Sequence, residues 1–223
     1  MTAQSDAMST SLRGSSTEPA GGIPIIAWQW QEWRHRLADF LPRPRFEHSL
    51  RVADEAAKMA RHYGLDEKKA CLAGMLHDLA RDLSFDTLLD LAAGFDLEVG
   101  PEEMANPIIL HAPVGAALLR SDWGIEDETV LKAVALHTVA APEMDDFCQL
   151  IYLADIIEPG RKEWPGLDAL RELSYRHLGQ AMRLSLQESF LYLQSCHTFI
   201  HPRAAAAYDF FTQQFKEQES ENK

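Results

Sequence analysis

The sequence has few cysteines and no pairing motif among them. Cys71, Cys148 and Cys196 are the three in 223 residues, and no two of them form a Cys-x-x-Cys pair. Reduced thiols in an intracellular protein are the simplest interpretation of this pattern. No run of about 18 apolar residues is present, so no transmembrane helix is predicted, and the N-terminus lacks the basic-then-apolar pattern of a secretory signal. We therefore expect a cytoplasmic protein with no membrane partner.

Basic residues are also scarce. The chain has 21 Lys and Arg against 34 Asp and Glu, which gives a formal net charge of −13. This balance argues against a nucleic-acid polymer or an anionic membrane surface as partner, because both attract basic patches. It does not exclude a small anionic substrate, which a few local cations can hold.

Strand signals are missing, and the pattern is helical throughout. No run of alternating Val, Ile or Thr stands out, and no Asn-Gly hairpin turn occurs. Asp66 and Asp127 are expected to cap the helices that follow them. We predict one compact all-α domain over 25–215, preceded by a disordered extension over 1–24 that is rich in Ser, Thr, Gly, Ala and Pro, and followed by a polar tail over 216–223. The predicted helices are 28–41, 44–63, 66–80, 84–94, 112–121, 126–138, 145–157, 167–176, 178–198 and 202–216.

Polar side chains continue the apolar stripes of several predicted helices. Ala70, Ala73, Gly74 and His77 are spaced i, i+3, i+4, i+7, so they share one helix face, and Asp78 follows directly. The same kind of spacing places four further polar residues on apolar faces: His48, His111, His137 and Asp155.

Each of these residues has an ordinary explanation when taken alone. A buried carboxylate such as Asp78 or Asp155 costs several kcal/mol unless a cation compensates it, and an arginine pair or a helix cap would serve. A single His on an apolar face is often a hydrogen-bonded core histidine. A metal site explains all six together, because imidazole nitrogen with carboxylate oxygen suits divalent iron, manganese, cobalt or zinc. Six ligands exceed the need of one four-coordinate ion, so two metals are predicted.

The order of these residues resembles a known signature. His48, the pair His77-Asp78 and then Asp155 are similar to the H…HD…D pattern of the HD-domain phosphohydrolases. Wider segments resemble the YqeK family within that superfamily, in order over about 44–210. They are His48-Ser-Leu-Arg-Val52, Ala73-Gly-Met-Leu-His-Asp78, Leu110-His-Ala-Pro-Val-Gly-Ala116, Ala135-Leu-His-Thr138, Ile151-Tyr-Leu-Ala-Asp-Ile-Ile-Glu-Pro-Gly-Arg161 and Ile200-His-Pro202.

The resemblance implies a helical HD-domain bundle and an enzyme that hydrolyses diadenosine tetraphosphate symmetrically to two ADP. It also implies two divalent metal ions, with iron as the first candidate and manganese, cobalt or zinc as the others. One metal would be held by His48, His77, Asp78 and Asp155. Asp78 would bridge to the second metal, whose other protein ligands would be His111 and His137.

Two-metal chemistry suits this reaction, because the ions activate a water and neutralise charge on the phosphate chain. We expect a metal-bound hydroxide to attack a phosphorus at the middle of the tetraphosphate, with Asp78 catalytic. The candidates for both catalysis and phosphate binding are Arg51, Arg81 and Arg161, since guanidinium forks match phosphate oxygens. Thr138 and His201 are further substrate-binding candidates. The sequence equally allows surface salt bridges for the arginines, and helix-end roles for Thr138 and His201, in place of substrate binding.

Two other functions also stay open. The HD superfamily includes enzymes that act on other nucleotides, and the fold alone cannot choose the substrate. A nucleotide-binding regulator without turnover is the alternative from another class, although the complete ligand set argues against it. The partner is in each case a small dinucleoside polyphosphate or nucleotide. The sequence leaves the oligomeric state unknown, with a homodimer as one option.

Overall fold

A computed structural model describes residues 26–221 of the chain. That range contains eleven α-helices, one short 3₁₀ helix and no strand, so the all-α prediction is confirmed. The disordered extension predicted over 1–24 lies outside the described residues. The helices are α1 (Ile26–Phe40), α2 (Arg43–Tyr63), α3 (Glu67–Leu76), α4 (Phe85–Gly94), α5 (Pro101–Ala105), the 3₁₀ helix (Pro107–Leu110), α6 (His111–Ser121), α7 (Glu128–Leu136), α8 (Asp146–Ile157), α9 (Leu167–Ser174), α10 (Leu178–Ser195) and α11 (Pro202–Glu221).

Side-chain caps fix where several helices begin. The Asp66 carboxylate accepts hydrogen bonds from the backbone N–H groups of Lys68 and Lys69, and Asp127 caps α7 in the same way, as predicted. Asp145 caps α8 by accepting from the N–H of Cys148 at 2.8 Å. These contacts satisfy backbone donors that have no partner inside the helix. They therefore set the register of α3, α7 and α8, which carry site residues at or near their ends.

The pair α2 and α3 packs with its backbones in close approach at Gly74. A Cβ atom added at Gly74 would lie 3.0 Å from the Ala53 Cα and N atoms and 3.0 Å from the Val52 carbonyl oxygen. All three are backbone atoms of α2, so they cannot rotate away. The missing side chain therefore lets the end of α3 lie against α2, which brings His77 and Asp78 close to His48.

The core lies around α8, whose side chains are buried along most of its length. Helices α2, α3, α7 and α10 pack around it. A second, smaller cluster lies beneath α4 and joins Leu88 and Ala92 to Leu110 and Val114. None of the described helices combines the length and the hydropathy that crossing a bilayer requires.

The helices differ from the prediction in several places. The helix expected to run to residue 80 ends at Leu76, and the chain continues in tight turns, with the Arg81 N–H bonded to the Asp78 carbonyl at 3.0 Å. The HD pair thus follows a core helix instead of lying inside it. α5 and the 3₁₀ helix were not predicted. α11 continues to Glu221, so the polar residues from 216 extend the helix where a separate tail was expected, and Gln213 supports this turn by donating to Glu217 at 3.0 Å.

Candidate metal centre

Five parts of the fold bring the six predicted ligands to one place. α2 supplies His48, the turn after α3 supplies His77 and Asp78, and α8 supplies Asp155. His111 is the first residue of α6, and His137 directly follows α7. The histidines and Asp78 are buried, and Asp155 is half-buried.

The ligand atoms form two groups that share Asp78. One group is His48, His77 and Asp78, the other is Asp78, His111 and His137, and the atoms within each lie within 4.8 Å of one another. Asp78 Oδ2 lies 3.5 Å from His77 Nε2, whereas its Oδ1 lies 3.3 Å from His111 Nε2 and 3.6 Å from His137 Nε2. The two oxygens of one carboxylate therefore face two different groups of histidines.

Asp155 joins the first group. Its Oδ1 atom lies 2.9 Å from His48 Nε2 and 3.6 Å from His77 Nε2. With Asp155 included, the first group has two imidazole nitrogens and two carboxylate oxygens, and the second has two imidazole nitrogens and one oxygen.

Hydrogen bonds from Nδ1 orient three of the histidine rings so that Nε2 faces this centre. His77 Nδ1 donates to the Gly74 carbonyl at 2.7 Å, and His137 Nδ1 donates to the Val134 carbonyl at 2.7 Å. His111 Nδ1 donates to Ile108 O at 2.5 Å. Each acceptor is three residues earlier in the chain, at a helix end. A proton held on Nδ1 leaves the Nε2 lone pair of the neutral ring facing the cluster, which is how metal-ligating histidines are oriented.

The facing nitrogens are not satisfied by protein donors alone. The buried Nε2 atoms of His48 and His77 have no hydrogen-bond partner within the described part of the chain. Nε2 of His111 lies 3.1 Å from Nε2 of His137, and two lone pairs cannot bond each other. The Thr138 hydroxyl, 3.0 Å and 3.1 Å from these two atoms, can donate to only one at a time. Divalent cations fit this donor set, because they satisfy several lone pairs and the carboxylates together.

Arginine partners for the carboxylates are also present. The Nη1 atom of Arg45 lies 2.6 Å from Asp78 Oδ2, and Arg161 forms an ion pair with Asp155. The alternative of an arginine pair is thus realised for both carboxylates, yet it leaves the converging imidazole nitrogens unexplained. Reasoning from the sequence did not single out Arg45; its position three residues before His48 on α2 was the available signal.

Comparisons with known proteins agree with this geometry. The sequence profile of the HD domain matches residues 45–160. The chain belongs to the HD-domain family. A Bacillus subtilis protein named symmetrical bis(5'-nucleosyl)-tetraphosphatase is 33% identical over 172 residues, which are 76% of this chain and 90% of that one. A Staphylococcus aureus protein of the same name is 40% identical over 142 residues, or 63% of this chain and 72% of its own.

A solved structure agrees with the fold of this HD-domain chain. It is that of a predicted HD superfamily hydrolase involved in NAD metabolism from Clostridium acetobutylicum, with a TM-score of 0.80 and 32% identity. The match covers 83% of the present chain and 97% of the other. The family membership that the motifs predicted is confirmed.

The two carboxylates of the cluster shift the pKa values of the groups around them. Burial alone would raise the pKa of Asp78, but the charge of His77 and the nearby His111 and His137 hold it well below its usual value. Burial lowers the pKa of His77, yet Asp78 and Asp155 outweigh this and raise it to about 10, so without a metal ion the ring also carries a proton on Nε2, and a bound cation would take the place of that proton. The pKa of His111 is lowered, chiefly by burial. The site therefore attracts positive charge, whether a proton, a guanidinium or a metal ion supplies it.

A cleft of about 480 Å³ opens beside His48. Its charged lining consists of four cationic side chains, Arg45, Arg51, Arg161 and Lys162, and two carboxylates, Asp82 and Glu158, so the cations are in excess. Its three guanidinium groups come from α2 and from the turn after α8, so they meet only in the folded protein. A concave site with this charge suits an anionic ligand with several phosphate groups.

Glu158 connects this cleft to the cluster and was not singled out from the sequence. Its buried Oε1 accepts from His48 Nδ1 at 3.1 Å, and its Oε2 accepts from Arg51 Nε at 2.6 Å and from the Gly160 N–H. Burial raises the pKa of Glu158, but Arg51 and the Gly160 N–H hold it below its usual value, so the side chain stays ionised. The available signal was its position three residues after Asp155 in the motif segment.

Of the remaining residues predicted to bind substrate, Thr138 lies at the cluster, whereas Arg81 and His201 do not. Thr138 lies against His111 and His137, as described above. Arg81 is not among the residues that line the cleft. The residues after His77 form turns, so the expected helical spacing from Asp78 to Arg81 does not apply. The Arg81 side chain makes no hydrogen bond or ion pair with residues 26–221. His201 donates from Nε2 to Glu103 at 2.9 Å and accepts at Nδ1 from the Arg203 N–H at 3.0 Å. Neither of its ring nitrogens is free for a phosphate.

Proposed function

We propose that this HD-domain protein hydrolyses diadenosine tetraphosphate symmetrically to two ADP, using two divalent metal ions. The observation that carries the proposal is the pair of ligand groups sharing Asp78, placed beside the arginine-lined cleft. The names of the Bacillus subtilis and Staphylococcus aureus relatives, symmetrical bis(5'-nucleosyl)-tetraphosphatases, support this choice of substrate. No feature of the described residues favours another nucleotide or a regulator without turnover.

The proposed ligand sets follow the two groups. His48, His77, Asp78 and Asp155 would hold one ion, and Asp78, His111 and His137 would hold the other. When bound, the ions supply positive charge at the attacked phosphorus and make a water more acidic. Iron is our first candidate, and manganese, cobalt and zinc suit the same nitrogen and oxygen donors.

The protein's own side chains position the phosphate chain. Arg51 is held in place by Glu158, to which it donates from Nε at 2.6 Å and from Nη2 at 3.2 Å, and it lines the cleft, so its remaining N–H groups are oriented before the substrate arrives. Arg161 and Arg45 lie beside the carboxylates Asp155 and Asp78, where they border both the cluster and the cleft. Negative charge that spreads over the phosphate oxygens during cleavage is stabilised by guanidinium groups fixed in this way.

Cleavage at the middle of the chain requires the second and third phosphates to lie over the cluster, with one nucleotide half extending to each side. Two cavities lie next to the cluster: His48 lines the arginine cleft, and Thr138, whose hydroxyl lies 3.0 Å from His111 Nε2, lines a smaller chamber. This arrangement is consistent with a substrate whose reactive bond lies near its centre.

Product analysis tests the function directly. The metal-loaded protein is incubated with diadenosine tetraphosphate, and the nucleotides are separated by anion-exchange chromatography. We expect ADP as the only nucleotide product; ATP with AMP would contradict symmetric cleavage. Asp78→Asn removes the shared carboxylate charge at nearly constant volume, and we expect the rate to fall at least a hundredfold. Asp122→Asn, on an exposed residue at the end of α6, is the matched control.

We further propose that the protein acts in the cytoplasm on this small-molecule partner. All three cysteines are free, which is consistent with a reducing compartment. We propose 25–215 as the catalytic domain, since the five elements that supply the cluster all lie within it.

A further inference from the structure

We propose that the chamber beside Thr138 binds one purine base of the substrate. The chamber has a volume of about 220 Å³ and lies between the 3₁₀ helix, α10 and the start of α11. This inference rests on the proposed function and adds to it the place where a nucleoside is recognised.

The chamber adjoins the cluster through Thr138, although none of the six candidate ligands lines it. Thr138 forms part of its wall, and the hydroxyl of that residue lies 3.0 Å from His111 Nε2 and 3.1 Å from His137 Nε2. The arginine cleft borders the same cluster at His48. A ligand whose phosphates lie over the cluster can therefore place one end in the chamber and extend the other along the cleft.

The walls suit an uncharged aromatic group and not a phosphate. Ile109, Leu186 and Leu193 line the chamber together with the rings of Phe190 and Phe199, and no Lys, Arg, Asp or Glu is among its described lining residues. His201 also lines it, but is tied to Glu103 as described above. A phosphate without cations would lose its hydration uncompensated, whereas a base can stack on phenyl rings.

The size and the polar groups narrow the ligand to a base. Pockets that enclose a drug-sized molecule measure about 300–1,000 Å³, so 220 Å³ suits one fragment of the substrate. Asn106 stands at the chamber, and its side-chain amide makes no hydrogen bond with residues 26–221. An asparagine amide donates to N7 and accepts from the N6 amino group of adenine as a matched pair. A purine is therefore the base that these groups fit.

A larger groove nearby is a weaker candidate. It measures about 590 Å³ and lies between Trp164 and Tyr192. None of its lining residues belongs to the cluster or hydrogen-bonds to it. A base bound there would have no wall in common with the reacting phosphates.

The test compares a ligand with a base and one without. ADP and inorganic pyrophosphate are titrated into the metal-loaded full-length protein by calorimetry. Ser189→Leu adds apolar volume inside the chamber without touching a proposed metal ligand, but Ser189 also borders the larger groove. Asn106→Ala removes an amide that lines the chamber and not the groove, so it assigns a loss of binding to the chamber. Gln194→Leu places the same leucine on an exposed position of α10 and serves as the control.

We expect Ser189→Leu to weaken ADP binding at least tenfold and Asn106→Ala to weaken it about fivefold, with pyrophosphate changed less than twofold. Gln194→Leu should leave both ligands unchanged. Equal losses for ADP and pyrophosphate, unchanged ADP binding in both chamber variants, or no ADP binding by the parent protein would each overturn the proposal. Circular dichroism reports whether each variant is folded. If Ser189→Leu unfolds, Asn106→Ala still tests the proposal, because Asn106 lies in a connection between two helices.

The result is separable from the proposed reaction. If ADP binding depends on the chamber but the tetraphosphate is not cleaved to ADP, the base site stands and the substrate proposal fails. If cleavage is symmetric and ADP binding ignores the chamber variants, only the base site fails.

Discussion

Replacing Glu158 by Gln tests whether the buried carboxylate between His48 and Arg51 controls metal binding. The two side chains have the same shape, so the change removes a charge and one acceptor without opening a cavity. The carbonyl oxygen of the new amide would stay with Arg51 Nε and Gly160 N–H, because both are fixed donors close to Oε2, whereas Oε1 has only one fixed donor, Arg51 Nη2 at 3.2 Å, beside a histidine that can change tautomer. The amide NH₂ would then face His48 Nδ1, which lies 3.1 Å from Oε1 in the parent.

That exchange reverses the tautomer of His48. A donor at Oε1 requires Nδ1 to accept, so the ring proton moves to Nε2, the atom that faces Asp155 at 2.9 Å. A protonated Nε2 cannot ligate a metal. Loss of an outer partner of a metal ligand typically lowers metal affinity about 10–100-fold, which corresponds to about 1.4–2.7 kcal/mol. We expect Glu158→Gln to fall in this range.

Cobalt(II) binding measures the effect, because its visible absorption reports the ligand environment as well as the affinity. Titrations of the parent and of Glu158→Gln by competition with a chelator give the two dissociation constants. Glu172→Gln is the control, since Glu172 is exposed and its only ion pair within residues 26–221 is with Arg176 at the surface end of α9. Glu158→Asp retains the charge and should restore part of the affinity.

A structural role alone would produce a different result. If Glu158 only stabilised the fold, Glu158→Gln would lower the melting temperature and leave the cobalt affinity of the folded protein within twofold of the parent. That outcome would refute the reasoning. We also expect turnover of Glu158→Gln to rise towards the parent value as the metal concentration is raised.

Three further predictions concern the fold around the site. Gly74→Ala should destabilise the protein by about 1 kcal/mol in urea unfolding, because overpacking against the α2 backbone costs about 1–3 kcal/mol and exceeds the helix-propensity gain of about 1 kcal/mol; equal stability would contradict the close approach. Asp127→Asn keeps an oxygen that can cap α7 but removes the ion pair with Lys69. Burial raises the pKa of Asp127, but Lys69 and the α7 backbone N–H groups outweigh this, so the pKa lies below its usual value. The parent should therefore be more stable by up to ~1 kcal/mol at neutral pH, with the advantage lost below about pH 4; a difference that persists in acid would exclude the ion pair as its cause. A thiol reagent should label exposed Cys196 first, whereas burial raises the pKa of Cys148 to about 12, so labelling of both at equal rates would be inconsistent with the fold.

Local rules account for much of what the sequence predicted correctly. The i, i+3, i+4, i+7 spacing placed His77 and His137 in line with the buried faces of α3 and α7, directly after which they lie. The Asp66 and Asp127 caps depend only on neighbours in the chain. The family motif then grouped six candidate ligands from distant segments, and the structure brings those six side chains together. These features are readable from the sequence because each depends on a helix period or on an ordered motif.

Other features depended on contacts between distant segments. Arg81 was expected at the site from its spacing to Asp78, but α3 ends at Leu76, and no local signal marked that end. His201 pairs with Glu103 across nearly a hundred residues of chain, which no periodicity reports.

The sequence by itself determined the all-α class, the candidate ligands and the family. Only the tertiary structure decided which cations meet the cluster, how Asp78 divides its two oxygens between the histidine groups, and that Glu158 links His48 to Arg51. The physical reason is that helix periodicity constrains side chains within one helix, whereas these contacts depend on the angle and distance at which separate helices pack. Gly74 illustrates the difference: its identity is read from the sequence, but its role appears only where the α2 backbone lies against it.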